Sequence, residues 1–186
     1  MKSQDIVILL KLLSMEKQEK SEGLSSMDVL TGADPYALRS LEASLGISKS
    51  EISASLKRST TSGLVMRESS HMRVNRRNLA EFISHGLKYT FPVEPGAPQR
   101  GLPTGFAAPM LQGDIVSASD EIHVWPYAEG HMRGLAVKPL FKSVPEAALK
   151  DNRLYEYLAL IDALRLGRQR ESNLAKERLE KRIAEA

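Results

Sequence analysis

The 186-residue sequence contains no cysteine, which excludes disulfides, thiolate metal sites and a cysteine nucleophile. Only 5% of the residues are aromatic while 42% are hydrophobic, so we expect a folded protein with a largely aliphatic core. No apolar run approaches the roughly 20 residues that span a bilayer. The start, Met1 to Ile8, lacks the cleavage site of a secretory signal. A cytoplasmic protein that does not contact a membrane is therefore expected.

The sequence also lacks the short motifs of common catalytic chemistry, namely GxxxxGK[ST], GxGxxG, HExxH and GxSxG. His123 and His131 lie near Asp120 and Glu121, but their spacing matches no metal motif. We predict no enzymatic activity, no cofactor and no metal site.

Positive charge is concentrated in one part of the chain. The net charge is only +3, yet residues 37–90 contain nine Lys and Arg against four Asp and Glu, a local net charge of +5. Such a segment suits a phosphate-binding surface, because each neutralised phosphate releases counterions. A basic face that only contacts solvent would have the same composition. The order of the residues must therefore distinguish a phosphate-binding surface from a solvated face.

The first predicted helix covers residues 5–17. Ile6, Leu9, Leu10 and Leu13 share one helical face, and neighbouring apolar residues widen that face around the helix. A helix of this kind must be covered on several sides. We expect it to pack on its own domain and on a second subunit.

Residues 34–61 predict two short helices joined by a tight turn. Asp34 and Pro35 suit a helix start, and the first helix is expected over residues 36–45 with its leucines Leu38, Leu41 and Leu45 buried. Gly46 suits a helix end that requires positive φ. Ser48 to Glu51 form a capping box that opens a second helix ending near Thr61.

A hairpin is predicted next. Residues 64–67 and 72–74 have the pattern of short antiparallel strands, and residues 68–71 can form the turn between them. A further helix is expected over residues 78–85, with Leu79, Phe82 and Ile83 inward and Gly86 at its end.

The run from Leu41 to Arg58, followed by Ser62 to Val65, resembles the helix-turn-helix of bacterial winged-helix regulators such as the MarR-like group. The resemblance covers about residues 34–78 and implies an α+β, mainly α fold in which residues 37–78 bind double-stranded DNA. The helix from Ser48 would enter the major groove, and the hairpin, or wing, would reach the minor groove. The implied DNA-binding residues are Ser48, Lys49, Ser50, Ser53, Ala54, Lys57, Arg58, Arg67, His71, Arg73, Arg76 and Arg77.

This sequence departs from the family pattern at Ala54, where such helices often carry a long base-reading side chain. Arg, Asn and Gln make the bidentate contacts that discriminate bases, whereas this helix offers mostly Ser and Lys. Specificity is then modest, or comes from the wing and from DNA shape. The same departure leaves open a protein-interaction module, for example an antitoxin-like or defence-system partner.

Residues 91–120 are rich in proline and glycine, which predicts an extended arm or linker instead of regular structure. Residues 122–125 and 134–137 are expected to form a small hairpin within residues 121–150. Trp125 is the only tryptophan and is expected to anchor this hairpin to the core; a ligand pocket is the alternative. Arg100 to Pro103 faintly resemble a minor-groove hook, although packing of the arm is the favoured interpretation.

The C-terminal segment, residues 151–186, is predicted to be helical after a short helix at residues 145–148. Gly167 breaks or kinks the helix between residues 154–166 and 172–183. Asp162, Arg165, Arg168, Arg170 and Glu171 form a charged patch, interpreted as a solvated face or an interface. The apolar stripe of Ile161, Leu164, Ala175, Leu179 and Ile183 motivates a dimerisation hypothesis.

The runs Gln99–Gly105, Val124–Pro126, Ser143–Ala148 and Asp162–Glu171 resemble the C-terminal part of a group of uncharacterised bacterial winged-helix proteins. We therefore predict a winged helix-turn-helix domain with its N-terminal helix in residues 1–90, followed by the arm, the hairpin and a dimerisation segment. The predicted function is a homodimeric, sequence-specific transcriptional regulator, with a repressor favoured over an activator.

Overall fold

A computed structural model describes residues 1–22, 34–68, 71–111 and 122–186 of the chain. These residues form a mainly helical α+β fold with two small β-structures, which confirms the predicted class. The polar stretch at residues 23–33 and the expected hairpin turn at residues 69–70 lie outside the described residues. So do Asp120 and Glu121.

Helix α1 (Ser3–Glu22) lies at the centre of the fold. Seven of its apolar side chains are at most 1% exposed: Ile6, Val7, Ile8, Leu9, Leu10, Leu12 and Leu13. Burial of each such side chain contributes about 1.5–3 kcal/mol to stability. The prediction that this helix is covered on several sides is confirmed, and helices and strands of the same chain cover it.

Helices α2 (Leu38–Leu45) and α3 (Lys49–Thr61) follow. Helix α2 begins two residues later than predicted, because Asp34 accepts the backbone N–H of Tyr36 with its side chain and that of Ala37 with its carbonyl, which makes a turn. Leu38, expected to be buried, is 36% exposed because it lies at the start of this shorter helix.

Strands β1 (Val65–Glu68) and β2 (His71–Val74) form the predicted antiparallel hairpin, with Val65 opposite Val74. Helix α4 (Arg76–Phe82) continues through a π-helical turn (Ile83–Leu87) into α5 (Lys88–Thr90). The predicted helix end at Gly86 is therefore wrong. A Cβ at Gly86 would lie 3.1 Å from the Phe82 ring, so this glycine accommodates a close contact instead of ending the helix.

A small closed barrel of three strands occupies the region predicted to be an arm and a hairpin. Strand β3 (Pro98–Thr104) pairs antiparallel with both β4 (His123–Pro126) and β5 (Met132–Ala136), and β4 and β5 pair parallel. The predicted arm contains a strand, and the two strands of the predicted hairpin are not antiparallel to each other. Both predictions are corrected.

Proline and glycine obscured this strand in the sequence, but its geometry accommodates both. Strand β3 pairs with β5 over residues 98–101 and with β4 over residues 101–104, so each half has one main partner. Pro98 is the first strand residue and Pro103 lies in the half paired with β4, where a missing N–H is tolerated as on an edge strand. A Cβ at Gly101 would lie 2.0 Å from the Trp125 carbonyl oxygen, so the closed barrel requires glycine there.

Helices α6 (Val144–Lys150), α7 (Asn152–Leu166) and α8 (Gln169–Glu185) complete the fold. Gly167 separates α7 from α8, so the chain breaks there and α8 folds back on α7. The predicted apolar stripe is buried within this one chain, at exposures of 0–5% for Ile161, Leu164, Ala175, Leu179 and Ile183. The stripe that motivated dimerisation is thus already covered.

Asp162 is the centre of a buried polar cluster that joins α7 to the barrel. Its carboxylate accepts hydrogen bonds from Trp125 Nε1 at 2.5 Å, Thr104 Oγ1 at 2.9 Å and Arg165 Nη1 at 2.7 Å. Arg165 also donates to the carbonyl of Phe91. Asp162 and Arg165 are at most 8% exposed, so the solvated interpretation of this pair is wrong, whereas the anchoring role of Trp125 is confirmed.

Asp151 joins α7 to α1. It accepts Lys11 Nζ at 2.8 Å and Ser14 Oγ, and it caps α7 by accepting the backbone N–H of Leu154 at 3.0 Å. Burial opposes its ionisation, but these hydrogen bonds and the charge of Lys11 hold the pKa of Asp151 below its ordinary value. The unfolded chain therefore binds this proton more tightly than the folded chain does.

We expect the stabilising effect of the Asp151 charge to be lost as the pH falls. It is fully present above the unfolded pKa of about 3.9 and disappears as the pH drops through the lower folded value. Asn can still cap the helix, so Asp151→Asn removes mainly the charge. Urea unfolding of both proteins from pH 7 to pH 3 should show a stability difference that narrows below about pH 4. A difference independent of pH contradicts the assignment.

Within the described ranges, no helix combines the length and apolar character that crossing a membrane requires. The same residues contain no group of three or more His, Asp or Glu side chains arranged to hold a metal ion.

Candidate nucleic-acid interface

The turn between α2 and α3 follows the sequence prediction in its glycine and its serine cap. The predicted capping box is not completed, because the Glu51 carboxylate accepts hydrogen bonds from Lys2 and from Gln4 of α1. Gly46 has φ of +64° and its N–H bonds to the carbonyl of Glu42, which ends α2 in the left-handed conformation that glycine favours. Ile47 is buried at 1% exposure and fixes the turn against the core. Ser48 caps α3 by accepting the backbone N–H of Glu51. Local signals thus set the end of α2 and the start of α3, and packing of Ile47 on the core fixes the turn between them.

Helix α3 has one buried and one exposed face. Ile52, Ser55 and Ser59 face the core at 0–1% exposure. The outward face carries the exposed residues Lys49, Ser50, Ser53 and Lys57, with Ala54 partly buried at its margin. Their spacing of three and four residues places them on one side of the helix. The structure therefore brings together the polar residues that the sequence predicted for the major groove.

Arg58, predicted to contact phosphate, instead binds the first helix. Its guanidinium makes a bidentate contact with Asp5, with Nε to Oδ2 at 3.0 Å and Nη2 to Oδ1 at 2.7 Å. Asp5 is fully buried and Arg58 is 31% exposed. Burial opposes ionisation of Asp5, but the hydrogen bonds from Arg58 and from the N–H of Lys2 hold the pKa of Asp5 below its ordinary value. Arg58 is thus engaged in holding α3 on α1.

Arg76 has an equivalent role after the hairpin. Its Nη2 lies 2.7 Å from Glu16 Oε2, and the other oxygen of Glu16 accepts the backbone N–H of Val74 at 3.0 Å. Glu16 is buried at 3% exposure, and the side chain of Arg76 is 27% exposed. One buried acid of α1 thus fixes both the end of β2 and the start of α4.

The two hairpin arginines lie on opposite faces of the ribbon. Met66 is directly opposite Arg73 and Arg67 is directly opposite Met72, and residues opposite each other share a face. Arg67 and Arg73 are both exposed. The backbone of His71 pairs with Glu68 in the hairpin. The side chains of the two arginines therefore project from opposite faces of the hairpin and do not form one cationic patch.

Two further residues predicted to bind DNA are exposed and form weak ion pairs at the surface. Lys49 Nζ lies 3.6 Å from Glu42, with 47% of the lysine side chain exposed. Arg77 pairs with Glu81 one helical turn away at 3.4 Å and is 87% exposed. Exposed pairs of this kind contribute about 0–1 kcal/mol, so an approaching phosphate can replace either acid at little cost.

Sequence reasoning missed the two buried acids, although a signal was present. Asp5 and Glu16 interrupt the apolar surface of α1, and an ionised carboxylate in a buried helix requires a cationic partner. Which arginine supplies the charge is a tertiary property, because Arg58 and Arg76 lie 53 and 60 residues away in the chain.

Comparison of the chain with protein-family models, with curated proteins and with solved structures finds no match in any of the three.

Proposed function

We propose that residues 37–78 form a winged helix-turn-helix that binds double-stranded DNA and that the protein regulates transcription through it. Helix α3 would enter the major groove, and the hairpin of β1 and β2 would lie beside the neighbouring backbone. The repressor role is part of the same proposal, since a protein bound at a promoter blocks access without further machinery.

The observation that carries the proposal is the outward face of α3. Lys49, Ser50, Ser53 and Lys57 stand together at its exposed side, and the opposite face is fully packed. Lys57 supplies a charge for a phosphate, and hydroxyl groups can bond to phosphate or to base edges. The N-terminus of α3 adds a partial positive charge that favours an anion.

The same face supplies little base discrimination. It lacks Arg, Asn and Gln, which make bidentate contacts with G or A, and Ala54 can contact only a thymine methyl. Sequence preference must then come largely from DNA shape read by the hairpin, for which one exposed arginine, Arg67 or Arg73, would face the duplex. We expect modest specificity and a large electrostatic component.

Removal of two exposed cations should weaken DNA binding without weakening the fold. The double variant Lys57→Ala with Arg67→Ala removes one charge from α3 and one from the hairpin. We expect lower affinity for every duplex, and the slope of log K against log salt should become shallower by about two. Fluorescence anisotropy with a duplex from the upstream region of the gene and with a random duplex, from 50 to 300 mM salt, measures both effects.

The matched control is Arg170→Ala with Lys181→Ala, which removes two exposed charges from α8. It should leave the slope unchanged. Absence of any duplex binding by the unmodified protein at low salt rejects the proposal, as does an unchanged slope in the first variant. Equal affinity for the upstream and random duplexes rejects sequence-specific regulation but leaves DNA binding intact.

A protein-binding module is the second candidate, and exposed apolar side chains favour it. Leu38 of α2 and Met66 of β1 are 36% and 52% exposed. Residues of this kind can anchor a protein partner such as that of an antitoxin. A stable partner that co-purifies with the protein and is lost in Met66→Ser, together with no duplex binding, would favour this function over the first.

Homodimerisation stays a prediction. The apolar faces of α1 and α8 that suggested it are buried within one chain, so a dimer would have to use other surfaces. Sedimentation of the free protein and of its complex with a duplex distinguishes a constitutive dimer from one that assembles on DNA.

A further inference from the structure

Two arginines stand directly opposite each other on the barrel. Arg100 of β3 pairs with Arg133 of β5 in the antiparallel ladder. Opposed residues in such a ladder have Cα atoms about 4.5–5.5 Å apart and side chains on the same face. Like charges in this position repel and destabilise the sheet. The pair therefore weakens the barrel unless an anion binds between the two side chains.

Both guanidinium groups are exposed to solvent, and neither has an ion pair with any acid in the described part of the chain. The backbone beneath them is fixed, because the carbonyl of Arg100 accepts the N–H of Tyr127 and Gly130 packs against Gly101. Two cations are thus held side by side on a rigid support.

The arginines border an open groove of about 560 Å³ that Gln99, Pro126 and Tyr127 also line. The hydroxyl of Tyr127 lies 3.3 Å from Glu129, so this phenol is tethered at the edge of the groove. An enclosed site would surround a small ligand, whereas a groove this open suits one segment of a longer polymer. Paired guanidinium groups beside an aromatic ring suit a sugar-phosphate backbone.

We propose that Arg100 and Arg133 form a second phosphate-binding site, which takes the backbone of double-stranded DNA. This inference rests on the proposed function, because the duplex is the ligand of both sites. The planar guanidinium forks would each donate to phosphate oxygens, and the bound anion would relieve the repulsion between the two arginines.

The barrel is also tied to the helix-turn-helix. Ser143, between the barrel and α6, donates a hydrogen bond to the Leu45 carbonyl at the end of α2, and Gly46 packs against the same serine. Lys150 of α6 donates to the Ala43 carbonyl at 3.1 Å. These contacts hold α6, which follows the barrel in the chain, in a fixed relation to the turn that precedes α3. The proposal requires that one duplex reaches both sites, and the resonance experiment below tests this.

Nuclear magnetic resonance of the full chain tests the site directly. The probes are a 24-base-pair duplex, a 12-nucleotide oligothymidine and inorganic phosphate, and the signals are the Nε–Hε groups of Arg100 and Arg133 and the backbone amides of α3. The duplex is expected to shift both sets of signals. In Arg100→Ala with Arg133→Ala, the salt slope of duplex binding should become shallower by about two, while Arg170→Ala with Lys181→Ala keeps it.

Each result supports or overturns one claim. Shifts in the α3 amides without shifts in the arginines keep the proposed function and reject this site. Shifts in the arginines without shifts in α3 keep the site and reject the proposed recognition helix. Arginine signals that respond only to oligothymidine or only to inorganic phosphate reject the duplex assignment. Thermal unfolding of the double variant, which should be no less stable than the unmodified protein because repulsion is removed, excludes misfolding as the cause.

Discussion

Replacement of Asp162 by alanine is expected to lower the free energy of unfolding by about 3–5 kcal/mol. The carboxylate is fully buried and holds three donors, on Arg165, Trp125 and Thr104. Alanine would leave the Arg165 guanidinium without its anionic partner and would leave Trp125 Nε1 and Thr104 Oγ1 without an acceptor. A buried charge without a partner of opposite sign costs far more than an exposed one. Urea denaturation followed by Trp125 fluorescence measures the loss and reports on the barrel contact itself.

Glu156→Ala is the matched control on the same helix. Glu156 pairs with Arg182 at 2.8 Å, but Arg182 is 46% exposed, so this loss should stay below about 1 kcal/mol. If both variants lose similar stability, the buried cluster does not hold α7 to the barrel. A loss below 1 kcal/mol for Asp162→Ala would show that water enters the cluster and satisfies the freed donors.

Burial also raises the pKa of Asp162, despite the opposing effects of Arg165, Trp125 and Thr104. The folded state therefore binds this proton more tightly than the unfolded state does, which is the opposite of Asp151. The acid-stability experiment on Asp151→Asn compares two proteins that both retain Asp162, so the effect of Asp162 cancels in the difference.

Helices α2 and α3 and the turn between them could be predicted because their signals are local. Gly46 ends α2, Ser48 caps α3, and each is recognised from its nearest neighbours. The outward positions of α3 follow from helical periodicity once those ends are fixed. The hairpin strands likewise follow from a short apolar alternation.

The barrel could not be predicted in the same way because its strands are defined by distant partners. Strand β3 has the composition of a linker, and only pairing with β4 and β5 makes it a strand. Gly101, which contributed to the prediction of an arm, is required by close approach of the chain. Gly130 in the next segment is required for the same reason, since a Cβ there would lie 2.3 Å from a carbonyl oxygen. Composition alone does not separate a flexible glycine from a tightly packed one.

The burial and the partners of the charged residues could not be predicted either, because they also depend on distant parts of the chain. Asp162 and Arg165 have the spacing of an ordinary surface pair, and nothing nearby in the chain indicates that the barrel covers them. The charge of residues 37–90 is compatible with a phosphate-binding surface or a solvated basic face, yet Arg58 and Arg76 belong to neither, because buried acids of α1 bind them. Net charge therefore overstated the number of cations available to DNA.

Arg58 and Lys57 are adjacent on α3, but their replacement by alanine is expected to affect different properties. Arg58→Ala should mainly lower stability, whereas Lys57→Ala should mainly weaken DNA binding. Loss of Arg58 leaves the buried carboxylate of Asp5 without its cation and should reduce stability by roughly 2–4 kcal/mol, somewhat less than for a fully buried pair because Arg58 is 31% exposed. Lys57 is exposed, and its removal should change stability by less than about 0.5 kcal/mol. Chemical denaturation of the two variants measures this difference.

The salt dependence of DNA binding should change in Lys57→Ala and not in Arg58→Ala. Well below the unfolding temperature, Arg58→Ala should retain the salt slope of the unmodified protein, whereas Lys57→Ala should lower it by about one. Adding Asp5→Asn to Arg58→Ala removes the uncompensated charge and should recover part of the lost stability, because Asn leaves no buried anion. A salt slope that falls in Arg58→Ala would show that Arg58 leaves Asp5 to bind phosphate, in which case the contact between α1 and α3 loosens whenever DNA is bound.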